Sequence, residues 1–343
     1  MRALSASEAV APAFKRTWAF YFKPFRIGRS WKWGASAYVT QFGLFFFPFA
    51  FLFFFMPHHS SPWLWTTLIS GSLALTALCF YFFYLGARMQ FVLFEALLTK
   101  AQFVAPVWRR YGKQTWQLIG ARLLLSIALC AILVVPAMGY FHYFIFMMAR
   151  MPHPGDTPNP RLQMQMFSQI MGTEFLLFLS IGIAFLFSSL LSDFLLPTLA
   201  LEDQPLVEAA SRMFRLFWTE PLAVLAYLVL KIVLGLIGAV AFIIAILLVE
   251  IITFIVGLIV FCVAGGLSWL LLHQAGVLWH VVMFVEIAIG EILALCWIFY
   301  VELGVVGIVL TFFTNYGLYF LGGRHKPLGD VLEPPLPEPE LSA

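Results

Sequence analysis

Lys231 and Glu302 stand inside the two longest apolar runs of the sequence, where an ionisable side chain is costly to place and marks a site by default. Lys231 lies ten residues into the run that opens at Pro221, about 15 Å along a helix. Glu302 lies eleven residues before Phe313, about 16 Å on the same scale. If the last helix leaves the apolar layer near Phe313 the two depths agree, and the spacing predicts a Lys231–Glu302 ion pair. Such a pair fixes helix packing or, in the sharper reading, moves protons or substrate. Glu291 shares nearly one helix face with Glu302, and Glu250, Glu286 and Glu291 fall toward one end of their runs. A carboxylate cluster there binds a cation or passes protons; solvated carboxylates at an interface are the plainer alternative. Asp193 is placed to cap a helix or to pair with Arg212 or Arg215.

Six of the seven histidines, His58, His59, His142, His153, His273 and His280, fall at the outer ends of apolar runs. Neutral imidazole there can ligate haem, copper or zinc. No pair has a metal-site motif, and His273 and His280 share a face only if their segment is helical. His58, His59, His273 and His280 are therefore weak candidate ligands, and no metal site is expected. Cys79, Cys130, Cys262 and Cys296 are scattered singly, without the spacing of a disulfide framework or a zinc site. GxSxG, HExxH, P-loop and dinucleotide-binding patterns are absent. Neither catalysis nor a cofactor is expected.

The elements that must position these residues are membrane helices. Hydrophobic residues make up 62% of the chain and charged residues 11%, against about 45–50% and about 25% in soluble domains. Mean hydropathy is +0.93. A water-exposed globule could not be solvated with so little charge. Runs of the roughly 20 apolar residues that a spanning helix needs occur at about 33–56, 62–86, 118–148, 170–198, 221–263 and 283–320. The stretch 221–272 is long enough for two tight spans, which would make seven. No Pro, Asn or Asp marks a turn between 232 and 263, and the first break is Gly265-Gly266. One long helix followed by an external segment near 265–282 is the preferred reading.

Basic residues orient the spans. Seven precede the first, six cluster at Arg88–Arg122, Arg212 and Arg215 precede the fifth, and Arg324 and Lys326 follow the last. Only Arg150 and Arg161 fall on the opposite side. Both termini are therefore expected in the cytoplasm. The basic rim suits the anionic headgroups of membrane lipids and not nucleic acid.

A threefold repeat underlies this count. Val10, Ala11 and Pro12 match Val104, Ala105 and Pro106, and Phe14, Lys15 and Arg16 match Trp108, Arg109 and Arg110 in type or charge. Glu8, Ala9, Phe14, Lys15 and Trp18 match Glu208, Ala209, Phe214, Arg215 and Trp218. The expected fold is an all-α membrane protein of six transmembrane helices, built as three repeats of an interfacial amphipathic helix plus a transmembrane hairpin. Ser5 and Glu8 have capping-box spacing, and Thr219 with Pro221 marks a further helix start.

The basic-aromatic segment 8–26, VAPVWRRYGKQTW (104–116), SDFLLPTLALED (192–203) and EAASRMFRLFWTEPLAVLAY (208–227) together resemble a diffuse group of prokaryotic six-span proteins. That group is similar to the membrane domain fused to some glycerophosphodiester phosphodiesterases. The resemblance implies a six-helix membrane domain that serves as a fusion partner or accessory. No soluble catalytic segment is legible, so phosphodiesterase activity is not expected. The Pro- and Glu-rich tail 327–343 is expected to be disordered. The reading is an integral accessory or scaffold protein of the bacterial cytoplasmic membrane, possible partner subunits being other membrane proteins. The alternative is a transporter or lipid-handling protein that uses Lys231, Glu302, Glu291, Glu250 and Asp193.

Overall fold

A computed structural model describes residues 2–23, 27–44, 46, 62–99, 104–129, 160–272, 274 and 276–333. All regular structure among the described residues is helical. In chain order the helices are α1 (Val10–Phe22), α2 (Ile27–Val39), α3 (Pro62–Thr99), α4 (Val104–Arg110), α5 (112–129), α6 (Pro160–Leu190), α7 (Leu196–Glu202), α8 (Leu206–Thr219), α9 (Pro221–Leu272), α10 (Val277–Gly322) and α11 (Lys326–Leu332). The chain divides into two compact units, unit 1 (Met1–Tyr38 with Phe217–Ala343) and unit 2 (Val39–Leu216).

Four helical stretches are long and apolar enough to cross a membrane, within α3, α6–α7, α9 and α10. They contain the expected spans at 62–86, 170–198, 221–263 and 283–320. Residues 45 and 47–56 of the expected span 33–56 and residues 130–148 of the expected span 118–148 lie outside the described residues, as do His58, His59, His142, His153, His273 and Cys130.

In unit 1, α1 starts from the expected capping box. The Ser5 N–H donates to Glu8 Oε2 at 2.8 Å, and the Glu8 N–H donates to Ser5 Oγ at 3.3 Å. These bonds, the backbone one first, hold the Glu8 carboxyl below its ordinary range, and Arg2 lowers it further. Ala9, Ala13, Thr17 and Tyr21 recur every four residues and are buried, so one stripe of α1 docks on α10 while Phe14 and Trp18 stay exposed. Gly34 and Gly307 let α2 and α10 touch at backbone distance: a Cβ on Gly307 would lie 2.3 Å from the Gly34 Cα.

In unit 2, α6 widens into a π-helical turn at Leu191–Leu195 and continues as α7. Pro197 explains the widening, because it lacks the N–H that would bond residue 193 and its ring crowds that carbonyl. Asp203 ends α7 in the left-handed region at φ 48°. After α2 the chain tightens into a 3-10 turn at Thr40–Gly43 that crosses α3. A Cβ on Gly86 would lie 2.1 Å from the Gly43 nitrogen, the close approach that small residues permit between helices.

Three boundaries differ from expectation. Helix α9 runs through Gly265-Gly266 to Leu272, and α10 begins at Val277 after Gly276 at φ 57°, so most of the expected external segment at 265–282 is helical. Gly265 faces Met283 of α10 and Gly266 faces open space, and the apolar sequence on both sides continues the helix past them. The N-terminal carbonyl of α9 belongs to Glu220, which accepts from the Val224 N–H at 3.1 Å, while Thr219 closes α8. The first part of the tail expected to be disordered is helix α11: Pro327 sits in its first turn, and Leu328 and Leu332, one turn apart, are buried. Residues 334–343 lie outside the described residues.

Candidate functional site

The densest buried polar cluster is in unit 2, around Arg122. Its side chain is wholly buried. One terminal nitrogen donates to the Gly43 carbonyl; the other donates to Gln90 Oε1 and, at 2.7 Å, to Ser192 Oγ. Its Nε has no hydrogen-bond partner among the described residues. Asp193 is buried beside it and attracts it electrostatically. Gln90 in turn donates to the Thr40 carbonyl at 2.8 Å, Ser192 to the Ser188 carbonyl at 3.1 Å, and Ser188 to the Leu44 carbonyl. Three structural irregularities meet here: the 3-10 turn, the Gly43–Gly86 crossing and the π turn. The turn and the π segment free backbone carbonyls and re-aim Ser192 and Asp193, and the guanidinium gathers several of these groups. Five fixed donors make Arg suited to that task.

A second charged cluster joins α3 to α4 and α5. Arg88 donates to the Trp108 carbonyl and to Thr115 Oγ1 at 3.4 Å, and its guanidinium lies 5.2 Å from the Trp108 ring centroid. Glu95 accepts from Arg110 at 3.0 Å and from the Tyr111 hydroxyl. Burial first, and Glu95 second, push the Tyr111 phenol well above its ordinary range.

Unit 1 has neutral counterparts. Asn315 donates to Thr17 Oγ1 at 2.9 Å, and Thr17 donates to the Ala13 carbonyl at 2.9 Å. The Tyr21 hydroxyl bonds the Gly307 carbonyl at 3.2 Å and Thr311 Oγ1 at 2.9 Å. Burial raises the Tyr21 phenol to about 12, and the Thr311 bond acts against that rise.

The residues expected from sequence to form a site are not gathered by the fold. Lys231 lies with its Nζ 5.7 Å from the Tyr227 ring centroid. The expected Lys231–Glu302 ion pair is absent among the described residues. Register explains why. Tyr227 stacks on Tyr316 and Phe320 at 4.9 and 4.5 Å, and Gly238 faces Val309. Lys231 therefore lies level with about residue 316, some 20 Å along the axis from Glu302. The sequence estimate compared depths from supposed exit points, the last helix leaving the apolar layer near Phe313, whereas the side-chain contacts set the register between α9 and α10 directly. Glu250 and Glu291 are exposed on separate helices, and Glu286 accepts from Ser268 Oγ. Among the described residues no three His, Cys, Asp or Glu are grouped to hold a metal. His280 Nδ1 lies 3.1 Å from the Gly276 carbonyl. Asp193 faces Arg122, and Arg212 pairs with Glu202.

Sequence reading missed Arg122, Gln90, Ser188 and Ser192. Arg122 was counted with the basic loop, although LLLSIALC follows it without a charge. An arginine inside the start of an apolar run was the available signal.

This arrangement defines an all-helical protein with helices fit to cross a membrane and polar clusters that serve packing. The chain belongs to a family of unknown function, DUF7544, whose profile matches residues 4–331. No curated protein and no solved structure is significantly similar to it.

Proposed function

We propose that the chain is an integral protein of the bacterial cytoplasmic membrane that scaffolds other membrane-protein subunits and performs no catalysis. The observation that carries this reading is the α9–α10 hairpin. Its arms of 52 and 46 residues are about 78 and 69 Å long. A hydrocarbon core is about 30 Å thick, and even at a tilt of about 40° it covers only about 39 Å of a helix. Roughly half of each arm exceeds that cover. Apart from the exposed carboxylates Glu250 and Glu291, the surface of the arms is mainly apolar: Phe254 is 70%, Phe284 73% and Leu271 77% exposed. A helix apolar over most of its surface is stable only when buried, so a neighbouring membrane protein supplies the cover.

The matched segments support a threefold architecture of lead-in helix plus transmembrane hairpin, six spans in all, with both termini cytoplasmic. Ala9 and Ala209 are both buried, as are Ala13, Val107 and Met213, and Thr17 and Tyr111. The resemblance to six-span membrane domains of accessory type agrees with this, and the basic residues of the lead-in helices contact anionic headgroups. A photo-cross-linking amino acid at Phe254 or Phe284 in native membranes tests the scaffold. One discrete product with a second membrane protein is expected; reaction with lipid alone sinks the reading.

One observation favours a second reading, a transporter: the buried Arg122–Asp193 pair inside a helix bundle. In that case Asp193→Asn abolishes ion or proton flux in proteoliposomes while the fold survives. In the scaffold reading wild-type proteoliposomes carry no flux to abolish.

A further inference from the structure

Unit 1 contains an apolar cleft of about 190 Å³ at the elbow between α1 and α2, against α10. Tyr21, Phe22, Trp31 and Tyr300 form its aromatic walls, Ser30 contributes a hydroxyl, and Gly304 forms part of its floor. The Trp31 and Tyr300 rings face each other at 6.2 Å. A Cβ on Gly304 would meet nothing within 4 Å, so this glycine opens space and is not required for close helix contact. Ser30 donates to the Tyr21 carbonyl at 3.0 Å, which braces the elbow across the gap between its two helices.

On the α1–α2 side of the cleft the charge has one sign. Lys15, Arg16, Lys23, Arg26, Arg29 and Lys32 surround it in sequence, and no acidic residue occurs between Glu8 and Glu95. Lys23 adjoins Phe22 and Lys32 adjoins Trp31, and both lysines are exposed. On α10 the nearest carboxylate in sequence is Glu302, which does not line the cleft. An apolar, aromatic slot beside exposed lysines matches one molecule with an acyl chain joined to a phosphate. Aromatic rings and lysines also mark the headgroup level of a membrane, which is where such a molecule would be.

We propose that this cleft binds a single anionic phospholipid, one acyl chain over Gly304 alongside the Trp31–Tyr300 ring pair and the phosphate at Lys23 and Lys32. The site rests on the membrane reading above, and deepens it from general headgroup contact to one defined position. It does not depend on a partner at the α9–α10 hairpin. Because the cleft lies in unit 1 alone, the bound lipid braces α1 and α2 on α10.

Native mass spectrometry of the full chain in mild detergent tests the proposal, after exchange into mixed phosphatidylglycerol and phosphatidylcholine. One phosphatidylglycerol per chain is expected to survive delipidation. Gly304→Leu fills the cleft and should abolish that retention while leaving the melting temperature near the wild-type value. Lys23→Gln and Lys32→Gln should each lower the preference for phosphatidylglycerol about fivefold without ejecting the acyl chain. The lysine variants change exposed side chains and keep the test decisive if Gly304→Leu fails to fold. Equal retention by wild type and Gly304→Leu, or equal retention of the two lipids by the wild type, overturns the site. Failure of the membrane reading itself would show differently, as a chain that stays in solution without detergent.

Discussion

In unit 1 the lead-in helix α1 is tied to α10 by neutral groups, Thr17 to Asn315 and Tyr21 to Thr311. In unit 2 the corresponding positions use charge: Tyr111 meets Glu95, and Thr115 meets Arg88. The proposed 94-residue repeat would pair Thr17 with Tyr111 and Tyr21 with Thr115, and these positions carry different chemistry. The backbone geometry differs in the same sense. Unit 1 crosses α2 over α10 with regular helices at Gly34–Gly307. Unit 2 makes its crossing with a 3-10 turn and faces it with a π turn. Irregular backbone leaves carbonyls without helical partners, and in unit 2 Arg122 takes that of Gly43 while Gln90 and Ser188 take those of Thr40 and Leu44. Unit 1 places its buried guanidinium at a helix end instead, where Arg324 pairs with Glu220 at 2.8 Å and donates to the Leu4 and Phe320 carbonyls.

The largest effect expected from this comparison is at Arg122. Arg122→Leu takes the donor from the Gly43 carbonyl, Gln90 Oε1 and Ser192 Oγ and the attracting charge from Asp193, and removing one member of a buried charge pair costs about 3–5 kcal/mol. Adding Asp193→Asn should recover part of the loss, because the uncompensated carboxylate is then gone. Thermal unfolding in detergent reads both variants. If Arg122→Leu melts like the wild type, charge does not hold unit 2 and the contrast collapses.

The crossings come next. Gly86→Ala places a methyl 2.1 Å from the Gly43 nitrogen, and Gly307→Ala places one 2.3 Å from the Gly34 Cα. Neither obstacle is a flexible side chain, so each variant should lose about 1–3 kcal/mol by overpacking. Gly304→Ala, on the same helix face region but facing open space, should stay within about 0.5 kcal/mol of the wild type. Similar losses at Gly86 and Gly307 would show that the two units differ in polar chemistry and not in the tightness of their crossings.

Smaller still are the neutral ties of unit 1. Thr17→Val keeps the shape and removes one hydrogen bond, and interhelical bonds of this kind average about 0.6 kcal/mol in membrane helices. A double-mutant cycle with Asn315→Leu isolates the Thr17–Asn315 term. A coupling as large as that at Arg122 would mean that neutral and charged ties are equivalent here.

How much of this was legible in the sequence divides along the same line. Apolar length announced α3, α9 and α10, and local spacing announced the Ser5–Glu8 capping box, because those signals are contiguous. The Arg122 cluster draws on residues 43, 90, 122 and 188–193, which only tertiary contact brings together. The Lys231–Glu302 pair failed for a different reason. Both residues stand in apolar runs and are half-buried, but a depth estimate does not fix the register of one helix on another. The contacts of Tyr227 and Gly238 put Lys231 level with about residue 316, about four turns along α10 from Glu302.

The smallest expected effect is on pH dependence, and it compares the two phenols directly. Tyr21 and Tyr111 are both raised above the ordinary phenol range, chiefly by burial. A raised folded-state value means that the neutral form is favoured in the fold. Its contribution is therefore whole below the unfolded value near 10 and is lost as pH rises toward the folded value, about 12 for Tyr21. Tyr111 carries the added repulsion of Glu95, so unit 2 should hold its phenol neutral to higher pH than unit 1. Tyrosinate absorbance of the folded protein on raising the pH from about 9 should show Tyr21 ionising before Tyr111, each assigned by the signal that Tyr21→Phe or Tyr111→Phe removes. The reverse order would place the stronger desolvation in unit 1, and the carboxylate beside Tyr111 would then not be the feature that separates the two units at high pH.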